Sequence, residues 1–124
     1  MSTENQPQLH IDFVCTGNIC RSPMAEVIVR DKFEDAGLAQ QVRVTSSGIG
    51  GWHIGQQADE RARAELKAAG YDGESHRAQQ FGGEQFDADL IVALDTNHVS
   101  ELVARGVPEA VSYTHLTLPT ILLV

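Results

Sequence analysis

The sequence predicts an α/β fold in three layers, a central parallel sheet with helices packed on both faces. Three observations predict it. Short runs with strand patterning alternate along the chain with stretches of helical periodicity. The run Leu90-Ile91-Val92-Ala93-Leu94 is apolar throughout, as a parallel strand covered on both faces requires. Cys15, Ser47 and Asp95 all fall at the carboxyl ends of expected strands, where sheets of this kind bind ligands.

Each element follows from local pattern. Met1 to Pro7 is polar, with neither a basic nor an apolar block, so no signal peptide is expected there. Residues 9–14 alternate and predict a strand, although His10 and Asp12 are unusual in one buried on both faces. Ser22-Pro23 predicts a helix start with proline at the first helical position. Ala25, Ile28, Val29, Phe33 and Ala36 form its apolar face and Gly37 stops it. Residues 42–46 alternate as a second strand, and a glycine-rich loop, Gly48 to Gly55, carries the single tryptophan, Trp52. Ala58, Ala62, Leu66 and Ala69 predict a second helix closed by Gly70. After the strand at 90–94, Thr96 to Arg105 predicts a third helix with Val99, Leu102 and Val103 inward, ended by Gly106 and Pro108.

Composition bounds the function. The 124 residues suffice for a single domain with its own core. Nine basic against 17 acidic side chains give a net charge of −8, which argues against nucleic-acid or anionic-membrane binding. No apolar stretch reaches the roughly 20 residues that span a bilayer. The cysteines, Cys15 and Cys20, are too few for a disulfide framework, so a reducing cytoplasm is the expected location. They and the scattered histidines lack metal-ligand spacing, and neither metal nor cofactor is expected.

The chemistry is concentrated in Val14-Cys15-Thr16-Gly17-Asn18-Ile19-Cys20-Arg21-Ser22-Pro23. A strand running into a short loop and then a helix start turns successive backbone N–H groups toward a common centre, a nest for an anion. The helix N-terminus adds positive field there, and the Arg21 guanidinium can grip two phosphate oxygens at once. Cys15 shares that field, so its thiolate is stabilised beside the anion it would attack. A lone strand cysteine is ordinarily a small buried hydrophobe; the Cys-x5-Arg-Ser spacing between strand and helix is what argues otherwise.

Residues 14–26, ending Pro-Met-Ala-Glu, resemble the low-molecular-weight protein tyrosine phosphatases. Ser46-Ser47-Gly48, Trp52 with Gly55, Asp59, Arg61, His76-Arg77-Ala78 and Asp95 extend the resemblance, which covers about residues 9–110 as one phosphatase domain. It implies that Cys15 is the nucleophile and forms a phosphocysteine, that Arg21 clamps the phosphate and that Ser22 donates to the thiolate. Thr16, Gly17, Asn18, Ile19 and Cys20 would line the substrate phosphate, and Trp52 would wall the cleft. Asn18 would hold the loop in shape with Ser46 as its partner, and His76 with Asp95 would form a scaffold behind the site. Cys20 either closes a reversible disulfide with Cys15 under peroxide, as in the family, or is a small buried side chain. The substrate implied is a phosphotyrosine protein or a small aryl phosphate.

The sequence also departs from the family. Its general acid, an Asp-Pro on a late loop, has no counterpart among these residues, which contain no Asp-Pro pair. The last strand and helix are expected to be incomplete. Residues 111–124 carry no charge and read as an anomalous tail, a non-native read-through. Two further readings remain: an arsenate reductase of the same fold, and a phosphate-binding fragment without efficient turnover.

Overall fold

The structure, a computed structural model, describes residues 8–94, 96–107 and 112–113. Four strands form one sheet in the order β2-β1-β3-β4: β1 Leu9–Cys15, β2 Val42–Gly48, β3 Leu90–Ala93 and β4 Ser112–Tyr113. Every pairing is parallel. Three helices, α1 Arg21–Asp35, α2 Glu60–Ala68 and α3 Thr96–Ala104, and a short 3-10 helix at Gly83–Asp87 complete the elements among the described residues. The α/β class read from the sequence is the architecture found. Ser112–Tyr113, in the stretch the sequence sets apart as a tail, extend the sheet beside β3; residues 114–124 and Asp95 lie outside the described residues.

Alternation along the strands makes the layers. Ile11, Phe13 and Cys15 of β1 turn to one face with Val44 of β2 and Val92 of β3, where Ala25, Val29 and Phe33 of α1 cover them. Val14, Ile91 and Ala93 turn to the other face, against Phe81, Val99 and Leu102. On the outside of α1, Met24 and Ile28 pack on Ala62 and Leu66 of α2. The core therefore lies on both faces of β1, the strand flanked by β2 and β3, and the end of β1 is held from several directions.

Three expectations need correction. Pro23 is the third residue of α1 rather than the first, because the helix begins at Arg21. This costs nothing, since the first-turn N–H groups have no partner within the helix. Ala36 and Ala69 lie just past their helices and are exposed. Val103 is exposed too, because the face of α3 that meets the sheet is set by Val99 and Leu102, one turn apart. The stop at Gly37 is as expected, with φ at +75°, a conformation glycine adopts without steric cost.

Candidate active site

Residues 15–22 connect the end of β1 to the first turn of α1, and Cys15, Thr16, Asn18, Ile19 and Ser22 each meet a partner from another segment. At the entry, Ile49 N–H donates to the Cys15 carbonyl and Gly50 N–H to the Thr16 carbonyl, both at 2.9 Å. Further on, Asp59 N–H donates to the Ile19 carbonyl at 2.6 Å. A side chain at Gly48 would sit 2.9 Å from both the Asn18 nitrogen and the Gly17 carbonyl carbon, so the loop can lie against β2 only because position 48 is glycine.

Asn18 is the keystone. It has φ of +59°, the single positive value at a non-glycine among the described residues, and asparagine tolerates that region best. Its Oδ1 accepts from Gln79 N–H at 2.8 Å. A backbone N–H can only donate, so the amide orientation is settled and Nδ2 must face the other way. Nδ2 donates to Ser22 Oγ and to Ser46 Oγ, each at 2.9 Å. Ser46 in turn donates to the Glu26 carboxylate, which also pairs with Arg30 and lies 3.9 Å from His76 Nδ1.

The chain ends at the Ser22 hydroxyl, beside the Cys15 sulfur. Ser22 Oγ receives the Asn18 amide, so its own hydrogen points elsewhere. Cys15 Sγ is 2.9 Å away and the Ser47 carbonyl 3.4 Å. The hydroxyl can donate to either acceptor, and the sulfur is the nearer of the two.

Cys15, Thr16, Gly17, Ile19, Cys20 and Arg21 line one cavity of about 320 Å³ together with Trp52, His53 and His98. Trp52 is 71% exposed at its rim, as a cleft wall rather than a core residue would be. Both thiols are free, Cys15 buried and Cys20 half-buried. Burial pushes the Cys20 thiol up, with Asp59 and Cys15 adding to the effect. His76 Nε2 meets the Asn18 carbonyl at 2.8 Å, fixing the loop from behind. The partner expected for His76, Asp95, is outside the described residues. Among the described residues no cluster of three or more His, Cys, Asp or Glu side chains could hold a metal, and no helix is long and apolar enough to cross a membrane.

The family profile described as low molecular weight phosphotyrosine protein phosphatase matches residues 10–115. The chain belongs to this family. Low molecular weight protein-tyrosine phosphatase A of Mycobacterium tuberculosis is 55% identical over 102 residues, covering 82% of this chain and 62% of that protein. The low molecular weight protein-tyrosine-phosphatase of Streptomyces coelicolor is 54% identical over 91 residues, covering 73% and 55%. Among solved structures, a protein tyrosine phosphatase from Entamoeba histolytica superposes with a TM-score of 0.81 at 30% identity, over 94% of this chain and 79% of that one. The chain thus spans less than two thirds of the length of these curated phosphatases.

Four residues around the phosphatase loop were not singled out for a role from sequence. Glu26 lies inside the recognised motif but reads as an ordinary helix-surface acid. Gln79 acts through its backbone N–H, which no side-chain pattern reports. His53 and His98 read as isolated histidines, and only the fold brings them to the cavity.

Proposed function

We propose that the chain is a protein-tyrosine phosphatase working through a phosphocysteine at Cys15. The Cys15 thiolate attacks phosphorus, the S–P bond forms as the P–O bond to the phenol breaks, and the phenolate takes up a proton as it leaves. Water then attacks the phosphocysteine, releasing inorganic phosphate and the thiolate. Arg21 neutralises the phosphate oxygens, the amides of Thr16 to Arg21 cradle them, and Trp52 stacks on the aryl ring. Ser22 stabilises the thiolate as nucleophile and as leaving group, while Asn18, Ser46 and His76 keep the cradle in shape. The reaction needs no cofactor, and a reducing cytoplasm would keep Cys15 free.

The observation that carries this reading is the hydrogen-bond chain Gln79–Asn18–Ser22–Cys15, which sets a hydroxyl 2.9 Å from the sulfur. These 124 residues contain no Asp-Pro to protonate a poor leaving group. General acid catalysis typically supplies about 10²–10⁴-fold. Turnover of p-nitrophenyl phosphate is therefore expected to exceed that of phosphotyrosine by a wider margin than in a relative that carries an Asp-Pro acid. Steady-state assays on both substrates, with trapping of the phosphothiol, test the reading. Cys15→Ser should abolish both turnover and trapping; activity that survives it would reject the nucleophile. Phosphate binding without release of phenol would favour the fragment reading instead.

A further inference from the structure

We propose that His98 is a positioning residue for the phosphate loop, acting through Thr16. The inference rests on the reading of residues 15–22 as a phosphate cradle. His98 stands in the first turn of α3, across the sheet from α1, and keeps only 9% of its surface exposed. Its Nε2 lies 3.0 Å from Thr16 Oγ1, and its ring lines the same cavity as Cys15 and Arg21.

Thr16 is the first residue after the nucleophile, and two contacts from different directions hold it. The Gly50 N–H holds its carbonyl, and the His98 ring holds its side chain. The carbonyl bond alone leaves the residue free to pivot about that contact. The second contact removes that freedom and so fixes the peptide N–H groups on either side of Thr16. Preorganised amides bind an anion without paying to be oriented on binding. His98 thus ties the helix on one face of the sheet to a loop whose other supports come from α1, β2 and the residues just after it, Asp59 and the segment around Gln79.

Titration of inorganic phosphate by calorimetry, with p-nitrophenyl phosphate kinetics alongside, tests the proposal in the full chain. Losing one side-chain hydrogen bond should weaken phosphate binding by about 2–10-fold in H98L and equally in T16V. The double variant should be no weaker than either single one, because both remove the same bond. H98Q, whose amide can still reach the Thr16 hydroxyl, should recover most of the loss, and KM should move in step with phosphate affinity. Additive losses, unchanged affinity in T16V, or no rescue by H98Q would overturn the role. If H98L does not fold, T16V and H98Q decide the question. A wild-type chain that binds no phosphate would reject the cradle, and this role with it; phosphate bound equally by all variants rejects the role of His98 alone.

Discussion

Two buried polar chains run along opposite faces of β1 and β2, and they treat a carboxylate in opposite ways. On the face toward α1, the chain from Cys15 through Ser22, Asn18 and Ser46 ends at Glu26, next to Arg30 and His76. On the other face, His10 Nε2 meets Thr45 Oγ1 at 2.8 Å, Thr45 donates to Asp12 Oδ1 and Ser47 to Asp12 Oδ2, both at 2.6 Å. Asp12 is fully enclosed, and among the described contacts its partners are hydroxyls rather than cations. A carboxylate costs little at the end of a chain beside a guanidinium; inside a sheet layer, two hydroxyls only partly replace the water it lost. The loop-side chain thus ends on a carboxylate beside a guanidinium, and the Asp12 side holds a carboxylate whose charge burial disfavours.

The sharpest way to break this contrast is Asn18→Ala. It removes three hydrogen bonds at once, strands the Gln79 N–H, takes a donor from the buried Ser22 and Ser46 hydroxyls, and puts alanine at positive φ. A loss of about 3 kcal/mol or more in urea unfolding is expected, with turnover down more than tenfold. A variant that unfolds and turns over like the parent would show that the network does not hold the loop.

A smaller effect is expected from Gly48→Ala. The added methyl meets backbone rather than a flexible side chain, so the loop itself must shift. Overpacking of this kind costs about 1–3 kcal/mol, and phosphate affinity should fall with it, because the displaced atoms belong to Gly17 and Asn18. Stability lost with affinity unchanged would separate the loop's position from its binding.

The two chains also differ in how far the sequence reveals them. Cys15, Arg21 and Ser22 are legible because their chemistry depends on spacing within one short segment between a strand and a helix. The Asn18 contact with Ser46 was legible only through the family resemblance, since 28 residues separate them. Asp12 and His10 stand out as misplaced in a buried strand, yet their partners Thr45 and Ser47 follow only from the parallel register that sets Asp12 opposite Thr45. His98 lies 82 residues from Thr16, and a single histidine on a helix carries no signal of such a contact. Pairings within a segment are fixed by local geometry; those across the sheet need the topology first.

Asp12→Asn sharpens the comparison from its costly side. Burial, the largest influence, raises the Asp12 carboxyl from 3.8 to about 6; Glu26 adds to this, while the bonds from Ser47 and Thr45 and the charge of Arg43 oppose it. A carboxyl whose affinity for protons rises on folding favours the folded state most while protonated in both states. That contribution is complete below about pH 4 and is lost as pH climbs to 6 and beyond. Asparagine stays neutral throughout and can still accept one hydroxyl through its oxygen while its amide donates to the other. The variant should therefore be more stable than the parent by about 1–3 kcal/mol at pH 7.5, and the advantage should fade between pH 6 and 4. Urea unfolding at pH 7.5, 6, 5 and 4 reads this directly. A variant less stable than the parent at pH 7.5 would mean that the two hydroxyl bonds outweigh the burial of the charge, and that the polar chains on the two faces of β1 are built alike after all.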